Sequence, residues 1–401
     1  MSDRTPVFDL GSLDNAMQAY VSQKKLAGIQ ILLAHRDRVI HHQCYGYQNL
    51  RTKTPLTDDT IFRIFSMTKA ITSLAVMMLW EEGHFDLHDA VSDFLPSFKN
   101  LKVYNPHGSP LPLARPITFH DLLTHTSGLG YGLDQSSPVE RMYARANILQ
   151  MDEKLADKME RITALPLNHQ PGERFTYSVA TDVLGHLVEL ISGQSLDVIL
   201  KERIFEPLGM TDTGFSITKQ QKRRLATLYT KFKNLPLLDV RLAPPFLRPT
   251  FLRGAWVNKT RRPAFLSGGG GLVSTMNDYY QFVRMLARQG ELNGNRLISV
   301  KTYATMTAPQ LTEQQNPSQG INLGYGVSVL TDPAKAQLPD SPGSIGGSGA
   351  AGTDFWIDPV REMVGILMIQ YVSYQPVPVA ADFARHALTD NTSEANNHEP
   401  A

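Results

Sequence analysis

Between Met67 and Trp80 the apolar residues Met67, Ala70, Ile71, Leu74, Ala75, Val76, Met77, Met78, Leu79 and Trp80 fall on nearly every face of the helix they predict. A helix apolar all round belongs in the middle of a protein, covered on every side. The stretch is too short to cross a bilayer and carries Ser73, so the cover has to be other protein. With 401 residues, 42% of them hydrophobic, the chain is long enough to supply it. Gly83 marks the helix end. At its head an extended segment, Thr60 to Phe65, turns into the helix at Ser66, and Lys69 follows one turn later.

Ser-x-x-Lys is a weak pattern, and the chain contains it three times: Ser22/Lys25, Ser66/Lys69 and Ser216/Lys219. Ser22 lies in a polar stretch, and Ser216 precedes the basic run Lys219, Lys222, Arg223 and Arg224. Both read as solvated surface. Only Lys69 is set in an apolar helix. Residues three apart share a helix face, so Lys69 reaches Ser66 Oγ. Burial disfavours a charged ammonium, and a neutral amine can take a proton from a serine hydroxyl. The helix N-terminus favours negative charge developing at that serine. The competing reading, Ser66 as a plain N-cap and Lys69 snorkelling to solvent, carries equal weight on these two residues alone. A nucleophile of this kind also needs a proton shuttle and an oxyanion hole. Tyr177, just ahead of the helical stretch Ala180 to Ile191, is the candidate shuttle. The segment Gly343 to Gly352 leads into a strand, and its small residues let substrate lie close to the strand edge.

Coarser patterning gives the fold class. A short helix is expected from Ser12 to about Lys25. A β-hairpin is expected from Ile29 to Ala34 and Val39 to Gly46, turning at His35 to Arg38. Leu184 to Ile191 and Leu196 to Ile204 read as helices, and Asn277 as the cap of a helix running to Gly290. Gly324 to Leu330, Gly352 to Ile357 and Glu362 to Tyr371 read as strands, the last two joined by a turn at Asp358 to Arg361. A helix from about Val377 to Leu388 follows. Strands at both ends and helices between predict an α/β protein of the α+β type. Its antiparallel sheet draws on 1–88 and 252–388, with a mostly helical lobe at 89–251 and a polar, disordered tail at 389–401.

Several functions are disfavoured. A formal net charge of +1 gives no general attraction to nucleic acid or anionic membranes. Cys44 is the only cysteine, which excludes intrachain disulfides and cysteine-based zinc sites. His41 and His42 point to opposite faces of one strand, and no metal-ligand motif is present, so neither metal nor cofactor is expected. The Gly268 to Gly271 run lacks the lysine of a phosphate loop and reads as a turn. No Gly-x-Ser-x-Gly elbow occurs. His125 is expected to be structural. With no apolar leader at Met1 to Pro6 and no spanning segment, the expected location is the cytoplasm.

The chain resembles the serine β-lactamase and penicillin-binding-protein superfamily, and within it class C β-lactamases and the related family-eight carboxylesterases. The similarity runs from about Ala27 to Tyr371. It rests on the ordered segments Phe62 to Lys69, Leu122 to Leu129, Tyr177-Ser178-Val179, Pro207 to Met210, Gly268 to Thr275 and Phe355 to Pro359. The resemblance implies a β-lactamase-like fold and an acyl-enzyme on Ser66. Lys69 and Tyr177 would remove its proton, and the backbone N–H groups of Ser66 and Ala350 would hold the oxyanion. It also implies substrate contacts at Gly347, Ser348, Gly349 and Val179.

Two departures bear on substrate. Gly347-Ser348-Gly349 stands where β-lactamases have Lys-Thr-Gly, and Val179 stands where they have asparagine. Both losses point away from β-lactams and toward a neutral small-molecule ester, unless Arg253, Lys259, Arg261 or Arg262 supplies a cation. The alternatives are a β-lactamase or D-amino-acid peptidase, an acyltransferase on the same machinery, and a non-catalytic sensor. Oligomeric state is left open.

Overall fold

The computed structural model describes residues 10–150, 153–233, 235–244, 260–373 and 377–388. The expected tail at 389–401 and the expected lobe boundary at 251/252 lie outside them.

Helix α1 (Leu10–Ser22) precedes a hairpin of β1 (Gly28–His35) and β2 (Arg38–Asn49), then the short β3 (Thr54–Pro55) and β4 (Ile61–Arg63). The hairpin turns on Arg36 and Asp37 with φ of 48° and 63°. Two left-handed residues in a two-residue loop match the twist of the flanking strands. Helix α2 (Thr68–Glu81) follows, and the chain continues through α3 (Phe119–Leu123) and α4 (Ala180–Ser192). It returns to extended structure in β5 (Val273–Thr275), which pairs with β4, and then forms α5 (Met276–Ala287). Strands β6 (Ile321–Leu323), β7 (Ser328–Leu330), β8 (Ile345–Ser348), β9 (Asp354–Asp358) and β10 (Met363–Met368) lead to α6 (Val379–Leu388).

The main sheet has eight strands in the order β6-β7-β8-β9-β10-β1-β2-β3, antiparallel throughout. The N-terminal hairpin joins the C-terminal strands through β1 and β10, with Leu32 opposite Ile366. Side chains alternate across the sheet with period two. Leu32, Ala34, Phe355, Ile357, Val364 and Ile366 face one core, together with α2 and the helices beyond it. Ile29, Ile31, Leu33, Trp356, Met363 and Leu367 face a second core, capped by α1 and α6. Cover on both faces explains why β1 and β10 are buried at every position.

Three expectations need correction. Gly324 to Leu330 is not one strand: β6 and β7 are separated by a turn at Gly324 to Val327. There Gly326 has φ +83° and packs so near Ser73 that a Cβ would lie 2.4 Å from Ser73 Oγ. The cap of α5 is Thr275, whose hydroxyl accepts the Asp278 N–H, and Asn277 lies inside the helix. The predicted helix from Leu196 stops being α-helical at Leu200 and widens into a π-turn at Lys201–Phe205.

Candidate active site

Strand β4 delivers the chain to the site. Gln370 clamps its end, accepting the Arg63 N–H at 3.2 Å and donating to the Arg63 carbonyl at 3.0 Å. A single 3-10 turn, Phe65–Met67, then carries Ser66 into α2. Phe65 is buried with φ +42°, a conformation that costs a non-glycine residue about 1–3 kcal/mol and persists only where its surroundings enforce it. In α2 every residue from Thr68 to Leu79 is buried, as its all-round apolar pattern requires. Ser66 makes no cap to the helix.

Its hydroxyl meets the two predicted partners instead. Ser66 Oγ lies 2.7 Å from Tyr177 Oη, and Lys69 Nζ donates to it at 3.4 Å. Lys69 is 7% exposed, so its buried Nζ needs hydrogen-bond partners, and it donates to the Gly269 carbonyl at 2.6 Å. It also sits over the rings of Tyr177 and Tyr131, 4.7 and 5.6 Å from their centroids, where the π faces attract a cation. By contrast Lys25 and Lys219 of the other two Ser-x-x-Lys pairs are exposed.

Tyr177 is held from three directions. Its ring stacks on Tyr131 at 5.4 Å and 7°. His125 tilts against it at 5.0 Å. The backbone on either side is tied to the His125 segment: the Thr176 N–H donates to the His125 carbonyl at 2.8 Å, and the Ser178 N–H to His125 Nδ1 at 3.3 Å. With Nδ1 accepting, the imidazole is neutral with its proton on Nε2. Burial, and then the nearby Lys69 charge, push His125 down to about 3. The structural role expected of His125 is therefore to position Tyr177.

The third wall is β8. Ser66, Lys69, Tyr177, Thr181, Gly347 and Ser348 are among the residues around an open cleft of about 420 Å3 that Gly349 and Ala350 also line. Gly349 packs against the chain just ahead of Ser66, where a Cβ would lie 2.4 Å from the Ile64 carbonyl. Among the described residues the Ala350 N–H has no backbone acceptor.

Val179 does not join this cleft. It is 1% exposed in the core at the start of α4, because the helix geometry there turns residue 179 inward and Thr181 toward the cleft. Among the described lining residues the basic side chains are Lys69 and His125, and no arginine is among them. Arg262 is engaged elsewhere, in a two-bond ion pair with Asp197 at 2.6 and 2.8 Å, and Arg261 is exposed. Arg253 and Lys259 lie outside the described residues.

The glycine run read as a turn turns out to hold the lysine. Asp182 Oδ1 accepts the Ser267 hydroxyl at 2.6 Å and the Gly269 N–H at 2.8 Å, which fixes the carbonyl that Lys69 uses. Gly268 passes so close to α4 that a Cβ would lie 2.7 Å from the Thr181 carbonyl. Four consecutive glycines were the one signal in the sequence for this close approach.

A strained turn at the head of a buried helix, facing a tyrosine from a separate helical region across an antiparallel sheet edge, is the architecture of the β-lactamase-like serine hydrolases. The beta-lactamase family model matches residues 13–389, and the chain belongs to that family. It is 36% identical over 374 residues to Protein Rv1367c of Mycobacterium tuberculosis, covering 90% of this chain and 89% of that protein. Esterase EstB of Burkholderia gladioli is 28% identical over 368 residues, covering 90% of each. Among solved structures, EstCE1, a hydrolase with promiscuous acyltransferase activity, superposes with a TM-score of 0.79 at 25% identity, covering 95% of this chain and 98% of that one.

Proposed function

We propose that this protein cleaves carboxylic esters through an acyl-enzyme on Ser66. The observation that carries the reading is the three-way contact of Ser66 Oγ with Tyr177 Oη and Lys69 Nζ at the floor of an open cleft. In the first half-reaction Ser66 Oγ attacks the ester carbonyl carbon as its proton passes to the Lys69–Tyr177 pair. The carbonyl oxygen takes the electron pair and rests on the N–H groups of Ser66 and Ala350. Collapse re-forms the carbonyl and breaks the bond to the alcohol, which leaves with the proton through Tyr177. Water then attacks the acyl group, giving up a proton by the same route, and Ser66 is released with the acid.

The third wall supports a neutral substrate. Gly347-Ser348-Gly349 brings no cation, and none of the described lining residues replaces it, so a β-lactam or peptide carboxylate would lack a charged partner. The esterase named among the relatives agrees with that preference. An alcohol that reaches the acyl-enzyme before water would make the same machinery an acyltransferase, the activity ascribed to EstCE1.

The test is hydrolysis of a short-chain aryl ester beside a chromogenic cephalosporin. The ester should turn over and the cephalosporin should not. Ser66→Ala should lower ester kcat by about a thousandfold or more. Ester hydrolysis that persists in purified Ser66→Ala protein would remove Ser66 from the mechanism. Added alcohol that yields a new ester would assign acyl transfer.

A further inference from the structure

Behind β8, on the sheet face capped by α6, lies a second pocket of about 240 Å3. It shares Ser328, Gly346, Gly347 and Ser348 with the catalytic cleft as a common wall. Its remaining lining differs in character: Leu330, Leu338, Ala380 and Ala384 are apolar, whereas Asp340, Asp354 and Ser344 are not.

Those polar groups are poorly provided for. Asp340 is 8% exposed and Ser344 is 5% exposed, and both Asp340 Oδ1 and Ser344 Oγ lack a hydrogen-bond partner. Buried polar atoms are almost always satisfied, and leaving one unmade costs about 1–3 kcal/mol. Burial, and then the charge of Asp340, push the Asp354 carboxyl up to about 8. The nearby cation does not resolve this, because Arg361 Nη1 donates to the Pro339 carbonyl at 2.7 Å and to Asp358 at 3.3 Å. The pocket therefore presents unpartnered oxygens at Asp340 and Ser344 against a single unpartnered N–H, that of the Trp356 indole.

We propose that this pocket is a binding site, separate from the Ser66 cleft, for a small organic ammonium ion held by Asp340, Asp354 and Ser344. An ammonium supplies several N–H donors and a positive charge to two carboxyls and a hydroxyl. Its carbon chain fits the leucine and alanine wall. A bare metal ion is a poorer match, since no group of three or more His, Cys, Asp and Glu side chains suited to a metal occurs among the described residues.

The experiment is a titration of the full-length Ser66→Ala protein with n-butylammonium, followed by thermal shift and protein NMR, with n-butanol as the neutral control. Removing the nucleophile makes the result independent of the ester reaction. The expected result is saturable binding of the ammonium, with the alcohol at least about tenfold weaker. Asp354→Asn should weaken ammonium binding by about tenfold or more. Ala381→Met, at the exposed mouth of the pocket, should also block it while touching no polar group, so the test stands if Asp354→Asn fails to fold. No saturable binding, equal binding of the alcohol, or binding indifferent to both substitutions would overturn the proposal and leave a cavity filled by water.

Discussion

Tyr177 illustrates how much a single side chain is asked to do. Its hydroxyl touches Ser66, while its ring is pinned between Tyr131 and His125. Tyr177→Phe keeps the ring contacts and deletes only the hydroxyl. Ester kcat should then fall by about a hundredfold to ten-thousandfold while thermal stability hardly changes. An unchanged kcat would mean another group shuttles the proton. His125 makes a separate claim. Its folded-state pKa is depressed to about 3, against about 6.5 unfolded, so the unfolded chain binds the extra proton first. Its contribution to stability is complete above pH 6.5 and is lost as pH falls toward 3. The stability gap between wild type and His125→Gln should therefore shrink by about 2 kcal/mol between pH 6.5 and 5, measured by denaturant unfolding. A gap that does not change with pH would contradict the buried neutral imidazole.

Elements fix what these side chains can reach. Helix α2 is held against α4 by the glycine run: Thr72 Oγ1 donates to the Gly268 carbonyl at 2.8 Å, and Gly268 touches the Thr181 carbonyl. Gly268→Ala puts a methyl 2.7 Å from that carbonyl and 3.0 Å from Thr72 Cγ2. The expected cost is about 1–3 kcal/mol of stability, with a loss of ester activity at temperatures where the variant is still folded. A variant as stable and as active as wild type would show that the contact does not matter. The sequence showed the elements better than their partners. The pattern that placed α2 in the core is local, and so is the alternation of β1 and β10. Lys69 and Gly269 are 200 positions apart, so nothing near the glycines announced the lysine they serve. Val179 was misplaced for a related reason: a motif position carries no information on which way the first turn of α4 faces.

On the scale of the molecule, the two ends of the chain build one sheet, and one core runs from its inner face through α2 into the helical region. The outer face is closed by α1 and α6, joined by a Tyr20 hydroxyl donating to Asp382 at 2.5 Å. That arrangement brings β8 and the start of α2 to the same cleft, and the intervening helical region delivers Tyr177 to Ser66 there. Strands at both termini made the antiparallel sheet legible in advance. The pocket behind β8 was not, because it depends on how α6 packs over residues from four strands, β6 to β9. Everything in the functional account turns on Ser66 being a nucleophile. Incubation of the intact protein with a fluorophosphonate, followed by mass spectrometry and peptide mapping, tests that directly. One phosphonyl adduct per chain is expected, on the peptide bearing Ser66, and none in Ser66→Ala; an unmodified protein, or an adduct on another residue, would contradict a nucleophilic Ser66.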